Sequence, residues 1–529
     1  MSDILLFAAA VAVAGYTAYA FEQGYSPVLF ADAWTVLMDY RDAGFHVTLA
    51  NLISFHNEHR PLFARLPILA DMLWFGGRGF LPFALIFLTQ AAHCWLLIQI
   101  AKRQAWFETR HRAVVAALAL FCCFAPAQME NFIWSFQTAF VLNFFLATAA
   151  VAAVAAQKES GAAKWGVVVI LFACLAPLCL ASGVLVWWLA AVMAFSVRLA
   201  WKWTCAYAAG GALTLLLYVQ GYSQAPNESL LGVFRDPWQF IRFVGYFEAW
   251  SWKWWTLEFG LAMTFVAMAL MGTRLVSIVR GGRLNPWEAV PVGVMLFSIG
   301  TGFMAALGRL KYGITVAGSS RYQTPALLFW FMAAVLALAY LPKRATLAKR
   351  ATLAFRVFVM IAMASVFVAY PGLLDNMRQR GAGWDVAGAA WISGVRDDSS
   401  LNAMVAGPQL DLREGLQQRH LGWFSAMPGS AMGSYVTLDQ IEADNYCVGK
   451  FRKEAYFNDK DWPGARLRGS AAVANDGRAI YHFLTATEDR KIVGVGAAGY
   501  AFASIRNEFE PLVVLGMLGN GKYCAIRVN

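Results

Sequence analysis

Long apolar runs separated by short polar or charged segments dominate residues 1–371. A helix needs about 20 mostly apolar residues to cross a bilayer. On that measure we read eleven spans, near 4–21, 81–101, 113–127, 138–156, 165–181, 183–198, 203–220, 259–279, 287–307, 323–341 and 354–371. Only Ser182 and Gly183 separate the fifth from the sixth. The first run lacks a basic leader, so it is read as a retained span and not as a cleaved signal. Beyond 371 the pattern changes. Residues 385–440 are mixed and rich in Gly and Ser. From 447 onward, short segments at 478–486, 491–495 and 511–517 alternate with turn sequences such as Asn475-Asp476-Gly477 and Gly519-Asn520-Gly521. That spacing predicts a small antiparallel β-domain. The expected fold is a polytopic α-helical membrane protein over 1–371, followed by a soluble, mostly β domain over 372–529.

Composition agrees with this pattern. Of 529 residues, 59% are hydrophobic and 14% charged, against about 45–50% and about 25% in soluble domains. The formal charge of +11 could suggest a polyanionic partner, but its distribution says otherwise. The segments 102–112, 157–164, 198–202, 274–288 and 342–356, together with Asp3, carry +12, the alternate loops −1 and residues 372–529 zero. Lys and Arg concentrate in short cytoplasmic loops, so the surplus reads as topology, with the N-terminus cytoplasmic and the tail on the opposite side. No basic patch remains for nucleic acid. Six cysteines (Cys94, Cys122, Cys123, Cys174, Cys179, Cys205) sit in or beside apolar runs and read as small buried residues. Cys447 and Cys524 are the only pair in the tail, where an oxidising compartment would allow a disulfide.

Candidate chemistry gathers in the loops expected on the outer face. The first runs from Glu22 to about Phe80, too long for a plain connection. Its mixed stretches 33–55 and 62–75 have helical spacing and predict helices lying in the interface. Asp32-Ala33-Trp34 follows the first span, and His56-Asn57-Glu58-His59-Arg60-Pro61 lies later in the loop. At reduced dielectric the Asp32 carboxylate would have a raised pKa and serve as a base; an N-cap is the bland alternative. His56 and His59 lack a third ligand at a recognisable spacing, and Arg60 opposes a cation, so no metal is expected. A second loop holds Glu130, Asn131, Trp134 and Gln137, polar or amphipathic groups at the edge of a span. The loop 307–323 carries Arg309, Lys311 and Arg321 with no acid, breaking the charge trend on this face. Cations among Gly and Ser donors suit a phosphate. The loop 222–258 holds Arg235, the sequon-like Asn227-Glu228-Ser229 and an aromatic stretch with Trp250, Trp252, Trp254 and Trp255, which fits headgroup depth as well as sugar stacking.

The order of these parts resembles the GT-C class of polytopic glycosyltransferases. The likeness is carried by Asp32 after the first span, the long loop ending in His56–Pro61, Glu130–Gln137, and the basic loop ending Ser319-Ser320-Arg321-Tyr322. Many relatives pair the acid with a second carboxylate; here the neighbour is Ala33. The resemblance implies transfer of a hexose or pentose from a polyprenyl-phosphate carrier to O-antigen, another surface glycan or a lipid, on the periplasmic face of a bacterial inner membrane. Asp32 would be the base, with Glu58 its substitute. Arg309, Lys311, Arg321 and Arg60 would hold phosphate. Trp34, His59, Glu130, Asn131, Trp134, Gln137 and Tyr322 would bind sugar or acceptor. Neither cofactor nor metal is required. The rivals are a transporter or flippase of lipid-linked sugars and a non-catalytic membrane-anchored assembly or receptor protein.

Overall fold

The computed structural model describes residues 2–108, 111–222, 236–253, 255–280, 285–339, 345–404, 409–442, 446–518 and 521–528. The sequon, Arg235, Trp254 and the Gly519-Asn520 turn lie outside the described residues. Among the described residues, seven helices are long and apolar enough to cross a membrane: Asp3–Gly24, Phe80–Lys102, Ser135–Ser160, Leu257–Ser277, Pro286–Tyr312, Ser320–Ala339 and Arg350–Ala369. The other four expected spans fall short of that measure. Arg112–Phe124, Ala163–Leu175 and Leu185–Ser196 are shorter helices, stopped or preceded by 3₁₀ turns at Pro126–Gln128, Ala176–Leu178 and Ala181–Val184. Proline lacks the N–H that continues a helix, and Pro126 and Pro177 each sit at such a break. Trp201–Tyr218 has 18 residues but includes Lys202, Gly210 and Gly211, and it is not among the seven.

The long segment between the first two of these seven helices folds into the helices Ala33–Asp42, Leu49–Ile53 and Leu62–Trp74, the helical character that its spacing predicts. Buried Arg65 ties them together, donating to the carbonyls of Ser54 (2.6 Å) and Leu52 (3.3 Å) and to Asp39 Oδ2 (3.0 Å).

The tail is only partly as expected. Its β portion forms a closed barrel of β1 (Cys447–Phe457), β2 (Gly464–Val473), β3 (His482–Thr487), β4 (Ile492–Ala497), β5 (Tyr500–Ala503), β6 (Leu512–Met517) and β7 (Tyr523–Val528), in the order β1-β2-β5-β4-β3-β6-β7. Every pairing is antiparallel except β1 with β7, which closes the barrel in parallel. Phe451, Leu467, Phe483, Val514 and Ile526 fill its interior. The residues before it are helical, including Leu373–Ser393 and Leu410–Gln418. The first of these carries Gly381, Gly383 and Gly388, and two of the three are packing sites and not turns. A Cβ on Gly388 would come within 2.3 Å of Val28, and one on Gly381 within 3.2 Å of the Gln23 carbonyl. Leu373–Ser393 is therefore a strut between the first span and the barrel. Its Asp385 accepts from Ser26 (2.6 Å) on one side and Tyr481 (2.7 Å) on the other. The apolar core continues from the first span through Trp384 and Trp391 to Leu484 and Val495, across the expected boundary at 371.

Cys447 and Cys524 form a disulfide across 77 residues, as the tail pair suggests. Closing a loop of that length in the unfolded chain is worth about 4 kcal/mol. Replacing both cysteines by serine should lower the melting temperature of the tail by roughly ten degrees, read by thermal unfolding of the purified protein.

Candidate active site

Residues 56–59 make a two-residue hairpin turn. His56 N–H donates to the His59 carbonyl (2.8 Å) and His59 N–H to that of His56 (3.0 Å). The turn needs a left-handed residue, which Asn57 supplies at φ +52°; asparagine tolerates this region better than most side chains. Tyr218 OH donates to the Glu58 carbonyl (2.9 Å) and anchors the tip. Arg60 clamps the base, donating to the carbonyls of Ile53 (2.8 Å), Tyr218 (3.2 Å) and Gln220, with its guanidinium 4.0 Å from the Phe55 ring centroid.

The hairpin projects Glu58 and His59 into a cavity of about 110 Å³ that also receives Asp32, His56, Trp134, Arg309, Arg321 and Tyr322. Asp32 stands at the N-cap position of Ala33–Asp42, but its side chain makes no capping bond. It faces the cavity instead, after Ala31 turns the chain at φ +48°. His56 Nε2 is 3.4 Å from Asp32 Oδ1. Arg309 Nη2 is 2.7 Å from Glu58 Oε1, and His59 Nε2 is 3.5 Å from the same oxygen. His59 Nδ1 accepts from the Ala181 N–H (3.1 Å), so the ring proton sits on Nε2, toward Glu58. The helix break at Ala181–Val184 thus sets a tautomer in the cavity.

These contacts reverse the expected shift at Asp32. Burial does push its carboxyl up, but His56, Arg321 and Arg309 together outweigh burial and hold it below its ordinary value. Glu58 behaves likewise, with His59 and Arg309 overcoming the effect of burial. Both carboxylates are ionised at neutral pH. Burial pushes the His59 imidazole down to about 4, against Glu58 pulling the other way, so it is neutral.

The arginines differ in availability. Arg309 is held by Glu58. Arg321 has no carboxylate within ion-pair distance among the described residues, and its guanidinium lies 6.0 Å from the Trp134 ring and 5.3 Å from the Tyr322 ring. Trp134 Nε1 is buried without an acceptor among the described residues, which leaves a donor on the cavity wall. In the sequence His56 has no role beyond a rejected metal site, but a two-residue turn puts both of its flanking side chains, His56 and His59, on one side.

Several candidates lie elsewhere, and each for a packing reason. Trp34 is buried against Trp391 and Trp423 and donates to the Leu29 carbonyl. The donors of Arg60 are spent on backbone carbonyls. Asn131 is fully buried and donates to the Arg321 carbonyl (3.0 Å) and Thr324 Oγ1 (2.7 Å), so it positions the basic loop and does not touch the cavity. Gln137 is fully buried outside the cavity lining. Glu130 accepts from the Arg321 N–H (3.1 Å) and lines a second, neighbouring cavity. Lys311 lies outside the cavity lining, its ammonium over the Tyr312 ring at 4.9 Å. Among the described residues no group of three or more potential metal ligands occurs.

Compared with known protein families, characterised proteins and solved structures, the chain finds no match.

The depressed imidazole has a consequence for stability. His59 takes up its proton near 6.5 when unfolded and only near 4 when folded. Its contribution is present above pH 6.5 and is lost as the pH falls toward 4, by about 3 kcal/mol in all. Chemical unfolding of wild type across that window should show the loss, and a His59→Gln variant should show a flatter profile.

Proposed function

We propose that this chain is an inverting membrane glycosyltransferase of the GT-C kind, using a polyprenyl-phosphate-linked sugar. One observation carries the reading: an ionised carboxylate, Asp32, shares a small aromatic-walled cavity with Arg321, an arginine that no carboxylate pairs among the described residues. Sugar transfer from a lipid phosphate needs those two groups. The proton of the acceptor hydroxyl passes to an Asp32 oxygen as the acceptor oxygen bonds the anomeric carbon, opposite the phosphate. The bond from that carbon to the phosphate oxygen breaks, and its electron pair leaves on the phosphate beside Arg321. The configuration inverts. Glu58 acts through Arg309, and the neutral His59 Nε2–H donates to Glu58 or to a sugar oxygen in its place. Trp134 supplies an apolar wall with one N–H donor.

In this reading the cavity faces the periplasm of a bacterial inner membrane and the N-terminus is cytoplasmic. The +12 charge of the opposite loops supports it, as does the tail disulfide, a bond that persists in oxidising compartments. The acceptor is a glycan or a lipid. One observation favours transport of lipid-linked sugars as a second reading: the broken helix at Ala176–Val184 borders the cavity, and interrupted helices mark transporter sites.

The two readings separate on Asp32. Release of polyprenyl phosphate from a polyprenyl-phosphate sugar in membranes should fall by roughly 10²–10⁴-fold in Asp32→Asn, and by roughly 10²–10³-fold in Arg321→Met. Full turnover by a correctly inserted Asp32→Asn protein rejects the base assignment; sugar-lipid movement across proteoliposomes without turnover favours transport. The acid limb of kcat/KM should lie below the ordinary carboxylate range, because His56, Arg321 and Arg309 lower the Asp32 pKa. His56→Gln removes one of those influences and should move the limb to higher pH.

A further inference from the structure

The neighbouring cavity is larger, about 510 Å³, and its lining includes Glu130, Trp250, Lys253, Gln323 and Arg380. It lies at the outer end of the span Arg350–Ala369, since Ala369 and Tyr370 border it. Three donors face it without a hydrogen-bonded or ion-paired acceptor among the described residues. The Arg380 guanidinium lies against the Phe30 and Trp384 rings, at 4.7 and 4.5 Å, and the Lys253 ammonium against Trp250, at 4.4 Å. The third donor is Gln323, 2% exposed, whose Nε2 is buried and unpaired while its Oε1 accepts from Ser251 at 2.9 Å. A buried amide donor without an acceptor costs free energy that a ligand oxygen would recover.

Ser251 and Trp252 in turn line an apolar groove of about 200 Å³, so the turn Trp250–Trp252 and the Ser251–Gln323 bond join the two spaces. Leu118, Met263, Trp330 and Phe358 contribute to the groove from four helices. On Gln323–Ala339 its lining runs from Leu327 to Ala337, which at helical rise is about 15 Å. That is about half of the hydrocarbon thickness, or one leaflet. A leaflet-deep groove under a cationic headgroup cavity matches an acyl chain of ordinary length, and is short for an isoprenyl chain that crosses the whole bilayer.

We propose that this groove and cavity bind one anionic diacyl phospholipid of the bilayer, with one acyl chain along Leu327–Ala337 and its phosphate at Lys253, Arg380 and Gln323. The headgroup would then touch Gly318 and Ser320, on the segment that carries Arg321 into the other cavity, beside Glu130, which accepts from the Arg321 N–H. The bound lipid would therefore brace the loop on which Arg321 sits. This inference does not rest on the transfer reading, because its readout is binding.

The test is native mass spectrometry of the full chain in detergent, titrated with dipalmitoyl phosphatidylglycerol. Wild type should retain one lipid. Lys253→Glu, a change at an exposed residue, and Ala334→Trp, which fills the groove, should each weaken retention about tenfold, while Asp32→Asn should not. Melting curves establish that the variants are folded. Equal retention by all variants overturns the site. So does equal occupancy by glycerol phosphate, which has no chain, and so does displacement of the phospholipid by a stoichiometric amount of isoprenyl phosphate.

Discussion

The contact on which the cavity depends is the ion pair between Glu58 and Arg309. It joins the tip of a hairpin in the first outer loop to the end of the helix Pro286–Arg309, residues some 250 positions apart in the chain. Both partners are partly buried, with side-chain exposures of 32% and 19%. Removing either one leaves the other as an uncompensated, partly desolvated charge. Everything else at the site follows from its position. The pair consumes the carboxylate that lies nearest one arginine, which leaves Asp32 beside His56, and Arg321 without an ion-paired carboxylate among the described residues. It also brings Glu58 to the His59 proton, whose position on Nε2 is set by the broken helix at Ala181.

Backbone satisfaction explains why the loops take these shapes. Backbone groups buried outside regular helices must find partners within the protein. Arg60 and Arg65 spend their guanidinium donors on the carbonyls of the first outer loop, and Asn131 spends its amide on the carbonyl of Arg321. Arg60 and Asn131 read as binding residues in the sequence because they are charged or polar near apolar runs. In the structure their donors hold the loops that line the cavity. The same requirement runs through buried Gln128, which accepts from Gln90 (2.9 Å) and Thr324 (2.5 Å).

The tail shows where local pattern misleads. The strands near 482–487, 492–497 and 512–517 were readable, because alternation and turn residues are local signals. The strut Leu373–Ser393 was not, because Gly381, Gly383 and Gly388 lower its helix propensity, while close approach to the end of the first span and to Val28 just beyond it requires small residues at two of them. Barrel closure was equally hidden, since the parallel pair of β1 with β7 involves residues 77 apart. The disulfide between those strands was suggested only by the scarcity of cysteine in the tail.

The sequence by itself determined the membrane character, the segregation of charge and the loops in which acids, histidines and arginines gather, because hydrophobicity and net charge are additive properties of residues near one another in the chain. It also limited the candidates to a short set containing Asp32, Glu58, His59 and Arg321. Only the tertiary structure decided which of them share a cavity, which arginine is neutralised, and that the Asp32 carboxyl is lowered and not raised. Those outcomes depend on distances between loops far apart in sequence. Burial is the largest single influence on the Asp32 carboxyl, but His56, Arg321 and Arg309, gathered from loops far apart in the chain, together exceed it.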